Sequence, residues 1–238
     1  MKKLILLAIS FALCTTFTAN AKPKTLWMIG DATMAEYPDS TLAYGWGTAF
    51  EQYIHQRISL VNLADTGMSA KVFVETGLIE NMEKKRNRSY ILLQFGANDL
   101  KEYALSQYSS TDAMIRHINK IVSIARQNRI NVILCTPLAL PFYKEGKLID
   151  RLGGYPDAIR HLAEYHHLPL LDLEQTTRTW LMNMTEDEAA AYYVTVEPTQ
   201  LSNGEYQLNK EGAEIVAQLA KDVILNGKSK KLKRIIKK

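Results

Sequence analysis

Five short apolar runs recur along the chain, and a longer segment with helical spacing follows each of them. The runs are residues 25–29, 59–63, 90–95, 131–136 and 169–173. Runs of this length, bounded by turn residues, are typical of strands buried on both faces. Strands that alternate with helices predict a parallel sheet covered by helices on both sides. We therefore expect an α/β domain with functional groups at the carboxyl ends of its strands.

Six segments with helical spacing complete this pattern. They are residues 47–55, 70–84, 111–126, 156–166, 174–184 and 210–225. Asn209 is predicted to cap the N-terminus of the last helix, and Gly227 lies just beyond its end. The chain has 238 residues, which is enough for one sizeable core. We expect a single domain over residues 22–227.

The first 21 residues have the pattern of a secretory signal peptide. Residues 2 and 3 are lysines, residues 4–13 form an apolar run, and residues 19–21 read Ala-Asn-Ala. The apolar run is shorter than the roughly 20 residues that a transmembrane helix needs. We expect cleavage after Ala21 and a periplasmic or extracellular protein, with no transmembrane segment in the mature chain.

Charge is distributed unevenly along the chain. The formal net charge is +4, but the first 21 residues carry two lysines and residues 228–238 carry seven basic residues, which leaves −5 on residues 22–227. A nucleic-acid-binding domain has basic residues across its fold, so we expect no nucleic-acid partner. The basic tail, residues 228–238, is predicted to be a solvated, frayed end. Contact with acidic polysaccharide or anionic lipid is the alternative.

Cys135 is the only cysteine beyond the predicted signal peptide. One cysteine cannot form an internal disulfide, so the stability of the domain must come from its core. Cys135 ends an apolar run, and we expect a buried and unreactive thiol. The sequence has no cluster of Cys and His with metal-ligand spacing, and no metal site is expected.

Three loops at predicted strand ends carry the polar residues that stand out. Residues 30–35 read Gly-Asp-Ala-Thr-Met-Ala, residues 62–69 read Asn-Leu-Ala-Asp-Thr-Gly-Met-Ser, and residues 94–101 read Gln-Phe-Gly-Ala-Asn-Asp-Leu-Lys. Each alone is an ordinary turn sequence. Three such loops at one edge of a parallel sheet indicate a functional site.

These loops resemble the SGNH (GDSL-type) hydrolases, and within them the rhamnogalacturonan acetylesterase branch. That branch opens with Gly-Asp-Ser-Thr-Met-Ala, which residues 30–35 match at every position but one. Gly-Trp-Gly at 45–47, the second and third loops, Thr-Pro at 136–137, Tyr-Pro at 155–156 and Gly-Ala at 212–213 follow in the expected order. The resemblance covers residues 25–225 and implies a flavodoxin-like, three-layer α/β/α fold with a five-stranded parallel sheet.

The resemblance also implies a reaction. In this family a serine of the first loop attacks an acetyl ester, activated by a histidine that an aspartate orients. The oxyanion is held by the backbone N–H of that serine, by a glycine N–H and by an asparagine side chain. Gly67 and Asn98 match the last two donors, while Asp31 and Thr33 flank the serine position. The family needs no metal or organic cofactor, and its implied partner is an acetylated pectic or other plant-type polysaccharide.

The nucleophile position of this chain is Ala32. A methyl group has no lone pair, so no covalent acyl-enzyme can form there. Two other polar positions of the branch are altered as well. Met68 stands where the branch usually has an arginine, and Ala97 stands where it often has a histidine.

The histidine of the family has no counterpart in this chain. Counting back from the Gly-Ala pair places Gln207 at the histidine position and Gly204 at the aspartate position. An alternative alignment places Glu197 and Gln200 there. Neither supplies a histidine, because none of the five histidines lies beyond His167.

Three functional hypotheses follow. The first is a catalytically inactive or strongly impaired homologue that binds a glycan or a protein, with Asp31, Thr33, Gly67 and Asn98 in a polar pocket. Apolar contact in that pocket would come from Tyr44, Trp46 and Met68.

The alternative is an active carbohydrate O-acetylesterase that uses non-standard residues. Thr33 would supply the hydroxyl and Glu197 or Glu205 the base, or Asp31 would activate water. A purely structural role, exercised through the basic tail, is the third hypothesis.

Overall fold

The structure, a computed structural model, describes residues 24–82, 89–104, 109–196 and 205–237. Its strands are β1 (Lys24–Gly30), β2 (Ile58–Asn62), β3 (Tyr90–Gln94), β4 (Asn131–Cys135), β5 (Tyr143–Lys144), β6 (Lys147–Leu148), β7 (Leu170–Leu171), β8 (Tyr193–Val196) and β9 (Glu205–Leu208). A parallel sheet has the spatial order β2-β1-β3-β4-β7, and the pairs β5–β6 and β8–β9 are antiparallel hairpins. This order is that of a flavodoxin-like sheet, and it confirms the predicted α/β fold.

Helices cover the sheet on both faces. They are α1 (Trp46–Phe50), α2 (Ala70–Glu75), α3 (Leu78–Asn81), α4 (Ala97–Ala104), α5 (Thr111–Gln127), α6 (Tyr155–Tyr165), α7 (Leu173–Met182), α8 (Glu186–Ala190), α9 (Lys210–Asn226) and α10 (Lys230–Lys233). A short 3-10 helix, Glu51–Tyr53, follows α1. The predicted cap of α9 is confirmed, because the Asn209 side chain accepts a hydrogen bond from the Gly212 N–H at 2.9 Å.

Two apolar layers lie on the two faces of the sheet, because successive residues of a strand point in opposite directions. Leu26 and Met28 of β1 face the layer that contains residues of α1, α7 and α9. Trp27 and Ile29 of the same strand face the layer that contains residues of α2, α5 and α6. The central strands β1, β3 and β4 are therefore buried on both sides, as their unbroken apolar runs predict.

Several elements differ from the prediction. Neither the hairpins β5–β6 and β8–β9 nor the short helices α8 and α10 were predicted. The helix expected over residues 70–84 ends at Glu75, because Gly77 adopts a left-handed backbone conformation with φ of 65° before α3 begins. The run 59–63 forms the edge strand β2, and it alternates between covered and exposed residues instead of being buried on both faces. The helix α4 directly after β3 was not predicted.

The basic tail is packed against the domain, so the prediction of a solvated, frayed end is wrong. Leu232, Ile235 and Ile236 are all buried. Ile236 forms an antiparallel bridge with Ile54, and the His55 N–H donates to the Ile235 carbonyl at 2.8 Å. Three apolar side chains spaced for one face of a helical turn hold a segment that is otherwise basic.

Replacing Ile235 with alanine tests this packing. Because Ile235 is fully buried, Ile235→Ala should lower the free energy of unfolding by about 2–5 kcal/mol, measured by urea denaturation. The exposed neighbour Lys233 is the control, and Lys233→Ala should change it by less than about 0.5 kcal/mol. Equal stability of the two variants would mean that the segment does not pack on the core.

Candidate functional site

The three polar loops meet at the carboxyl edge of the sheet, as the sequence predicts. β1 lies between β2 and β3, so the loops that follow these strands are neighbours. Gly30, the last residue of β1, is paired with Gln94 of β3. Its carbonyl accepts the N–H of Asp65 from the second loop at 3.1 Å. The backbone itself therefore brings the loops together.

The first loop is a tight turn around the Asp31 carboxylate. Oδ1 of Asp31 accepts the backbone N–H of Thr33 at 3.1 Å and the Thr33 hydroxyl at 2.8 Å. Asp31, Ala32 and Thr33 are all buried. The Thr33 hydroxyl also lies 3.4 Å from the side-chain oxygen of Gln94, so it is directed into the protein. The methyl group of Ala32 stands where the family resemblance places the nucleophile.

Gln94 connects the first loop to two other elements. Its Oε1 accepts the indole N–H of Trp46 at 3.0 Å, and its Nε2 donates to the Thr136 carbonyl at 3.2 Å. Trp46 is fully buried. The expectation that Trp46 offers an apolar contact to a ligand is therefore wrong, because the ring belongs to the core and its N–H is held by Gln94.

The glycines on either side of Trp46 are required by close packing. A Cβ on Gly45 would lie 1.9 Å from the Ala35 carbonyl oxygen, and one on Gly47 would lie 2.4 Å from the Met34 carbonyl oxygen. Both distances are shorter than any real Cβ contact. The Gly-Trp-Gly motif thus lets α1 approach the first loop and places the Trp46 indole against Gln94.

The two candidate oxyanion donors, Gly67 and Asn98, are neighbours, and both already have acceptors. The Gly67 N–H donates to Oδ1 of Asp65 at 2.9 Å. Nδ2 of Asn98 donates to the carbonyls of Thr66 and Met68, each at 2.9 Å. The Asn98 bonds fix the second loop to the start of α4, while the Gly67 bond lies within the loop. They also occupy the hydrogens that an oxyanion would need.

Gln207, which one of the two alignments places at the histidine position, lies beside the first loop. It is buried on β9, opposite Val194 of β8. The Tyr37 hydroxyl is 3.1 Å from Oε1 of Gln207 and 2.9 Å from the Ala32 carbonyl oxygen. Gly204, Glu197 and Gln200, the other candidates in this region, lie outside the described residues.

Tyr37 is the site residue that sequence reasoning missed. It lies just beyond the matched first block, where no pattern indicates a role. Its partner Gln207 is 170 positions away along the chain, and only the fold brings the two together. No local signal predicts such a contact.

Three further residues that the sequence analysis singled out pack into the scaffold. Met68 packs against the apolar layer of α2, α5 and α6, and Tyr44 packs against the opposite layer. Cys135 is fully buried, and burial, reinforced by the charges of Asp172 and Asp31, raises the pKa of its thiol. An unreactive thiol was predicted here.

The histidines lie on other parts of the domain. His55 precedes β2, and His166 and His167 precede β7, so these three are at the amino edge of the sheet. His166 contacts Arg126 and Asn119 of α5. His117 and His161 are on α5 and α6. Across the four described ranges, no three His, Cys, Asp or Glu side chains are grouped to hold a metal ion.

Comparison with known proteins identifies the family. The profile of the GDSL-like lipase/acylhydrolase family matches residues 26–220. The chain belongs to this family. Rhamnogalacturonan acetylesterase RhgT of Bacillus subtilis (strain 168) is 27% identical over 213 residues, which cover 85% of this chain and 90% of RhgT. The probable rhamnogalacturonan acetylesterase YesY of the same strain is 24% identical over 196 residues, 82% of this chain and 89% of YesY. The predicted acetylesterase-like branch is confirmed.

Solved structures share the fold. Protein YxiM of Bacillus subtilis aligns with a TM-score of 0.70 and 24% identity over 84% of this chain, which spans only 55% of YxiM. The acetyl xylan esterase AlAXEase aligns with a TM-score of 0.61 and 19% identity over 84% of this chain and 98% of its own. A serine-to-alanine catalytic mutant of Axe2, an acetylxylan esterase from Geobacillus stearothermophilus, aligns with a TM-score of 0.60 and 15% identity over 82% of this chain and 91% of its own.

Proposed function

We propose that this protein is a non-catalytic acetylesterase homologue that binds an acetylated glycan without hydrolysing it. The observation that carries the proposal is the Tyr37 bridge, with the hydroxyl 2.9 Å from the Ala32 carbonyl and 3.1 Å from the Gln207 side chain. A catalytic nucleophile and its base are within hydrogen-bond reach of each other. Here a methyl group and a neutral amide stand at those positions, and a phenol hydroxyl connects the two segments.

The state of the oxyanion donors supports the same proposal. Oδ1 of Asp65 accepts the Gly67 N–H, and two backbone carbonyls accept the Asn98 amide. Stabilising an oxyanion requires donors that are already aimed at it. These donors would first have to leave their present acceptors, and the Asp65 carboxylate would repel a negative charge beside Gly67.

The Thr33 hydroxyl is the one feature that favours an active esterase. It lies 2.8 Å from Oδ1 of Asp31, and a carboxylate is able to act as a general base. The same oxygen of Asp31 also accepts the Thr33 backbone N–H at 3.1 Å, which is the bonding of a local turn. Since Thr33 is buried and directed towards Gln94, we favour the structural role for this pair.

Glycan binding rests on the relatives and on the position of the site. The two curated relatives are rhamnogalacturonan acetylesterases, one established and one probable, so a pectic, acetylated polysaccharide is the ligand that we propose. Tyr37 and Tyr44 are half-buried at the carboxyl edge. Aromatic rings with one polar end suit ligands that are partly apolar and partly hydroxylated.

Export is also part of the proposal. The lysines, apolar run and Ala-Asn-Ala site of residues 1–21 support cleavage after Ala21. Within the described part of the chain, no helix has the length and apolarity needed to cross a membrane. Mass spectrometry of protein recovered outside the cytoplasm should give an N-terminus at Lys22. Recovery of the intact N-terminus from the cytoplasm would contradict export.

Acetate release from acetylated pectic oligosaccharides tests the loss of catalysis. We expect a rate about 10⁴-fold or more below that of RhgT assayed in parallel, because loss of a nucleophile or base costs at least that much. Thr33→Ala should leave any residual rate unchanged, as should the control Thr179→Ala on the exposed face of α7. Turnover that only Thr33→Ala abolishes would instead establish the active-esterase alternative.

Binding of the same oligosaccharides is measured by calorimetry on the same preparations. Tyr37→Ala should weaken binding about tenfold, as truncation of a central aromatic contact does. The control is Tyr165→Ala, since Tyr165 is 77% exposed at the end of α6, on the opposite edge of the sheet. Equal affinities of both variants, or no saturable binding at all, would exclude the site as a glycan-binding site.

A further inference from the structure

The C-terminal segment, residues 227–237, is a fixed part of the surface. Leu232, Ile235 and Ile236 are buried. The segment also pairs with the stretch that follows α1, through the bridge of Ile236 to Ile54 and the bond from the Lys237 N–H to the Tyr53 carbonyl at 2.8 Å. Since every apolar side chain of the segment faces inward, only its polar and charged groups are presented to solvent.

The outward side of this segment is strongly basic. Its six basic residues are all exposed, and they are Lys228, Lys230, Lys231, Lys233, Arg234 and Lys237. No salt bridge joins any of the six to an acidic group within the described ranges. Exposed Arg57 lies beyond His55, which is bonded to the segment. Glu51 is the acidic residue of the adjoining 3-10 helix. Cations therefore predominate over this surface, which we call the basic face.

The basic face and the candidate site lie at opposite edges of the sheet, one where the strands begin and the other where they end. The segment contacts Tyr53, Ile54 and His55, which immediately precede β2, so it is at the amino edge. The candidate site is at the carboxyl edge. Residues 22–227 carry a net charge of −5. A negatively charged surface would therefore attract the basic face more strongly than the rest of the domain.

We propose that the basic face docks the protein on an anionic phospholipid surface, with the candidate site directed away from the lipid. Each lysine or arginine that reaches such a surface raises the partition coefficient of the protein onto the membrane about fivefold. Because no apolar side chain of the segment is free to insert, the attachment is electrostatic and reversible. This proposal does not depend on the proposed function of the site.

A lipid surface fits the basic face better than a specific polysaccharide site does. Residues 227–237 contain no aromatic residue on which a sugar ring would stack, and no acidic or amide side chain that would orient its hydroxyls. Five of the six exposed cations are lysines, which carry point charges on long, flexible stems. One of them, Lys237, donates a hydrogen bond from its ammonium group to the Gln52 carbonyl at 2.7 Å. Such groups suit the diffuse charge of lipid head groups.

Co-sedimentation with vesicles tests the proposal. The protein is purified from cells and used without truncation. Two kinds of vesicle are compared, one of phosphatidylcholine alone and one of phosphatidylcholine with one-third phosphatidylglycerol. A triple variant carries Lys230→Gln, Lys231→Gln and Lys233→Gln. It should bind the vesicles that contain phosphatidylglycerol about 100-fold more weakly than the unchanged protein, at about fivefold per cation.

The control variant removes the same charge elsewhere. Arg116→Gln, Lys144→Gln and Lys147→Gln change three exposed cations on α5 and the β5–β6 hairpin, and should weaken binding less than about fivefold. Binding of the unchanged protein should also fall at high salt, because exposed charges are screened. Thermal unfolding of both variants verifies that they are folded.

Three results would overturn the proposal. One is the absence of any binding that depends on phosphatidylglycerol, and another is equal loss of binding in the two variants. The third is binding to soluble polygalacturonate, dependent on Lys230, Lys231 and Lys233, without binding to vesicles. That result would assign the basic face to acidic polysaccharide.

Discussion

The side-chain amide of Gln94 connects the elements on which the candidate site depends. It ends the central strand β3, is fully buried, and has contacts to Trp46, Thr136 and the first loop. A buried amide without partners would be costly, so these contacts specify one arrangement of the strand ends. The Gly-Trp-Gly motif is needed for the same arrangement, because its glycines let the Trp46 indole reach Gln94. The scaffold of an acetylesterase-like site thus persists independently of the nucleophile.

The sequence predicted the parts of the fold that depend on local pattern. The five strands of the sheet agree with the five apolar runs to within one or two residues at each end. For β1, β3 and β4 the reason is that a strand buried on both faces has few polar positions. The cap at Asn209 was predictable for a similar reason, since its side chain bonds three residues along the chain. The break at Gly77 was not, because a glycine within a helical pattern is compatible with either outcome.

The candidate site was predicted in its residues but not in its bonding. Ala32, Gln207, Gly67 and Asn98 do lie at the carboxyl edge, where the alternation of strands and helices places them. Two contacts of the site depend on the geometry of the folded chain. The Gly67 N–H donates to the Asp65 side chain, and the Tyr37 hydroxyl connects Ala32 to Gln207, which is far away along the sequence. The C-terminal segment was mispredicted because its many charged residues suggested a solvated end. The helical spacing of Leu232, Ile235 and Ile236, which indicates packing, was not taken into account. The surface that receives these side chains is formed only by the folded domain.

We propose that this protein has retained the scaffold of its family and lost the reaction. Hydrogen bonds that position a nucleophile loop also stabilise the loop, so they persist when the nucleophile is absent. In this proposal the groups that act on a substrate are the ones replaced: the Ala32 side chain offers no lone pair, and Gln207 accepts no proton at neutral pH. The basic face at the amino edge would present the site outward from an anionic surface. Binding and presentation need no catalytic group.

The central claim is that no activated nucleophile exists at this site. The most direct measurement is labelling with a fluorophosphonate, which reacts covalently with activated serine and threonine hydroxyls, followed by mass spectrometry of the intact protein and of its peptides. RhgT labelled in the same reaction is the positive control. The account predicts no adduct on this chain while RhgT is modified. A single adduct on Thr33, abolished by Thr33→Ala, would contradict it.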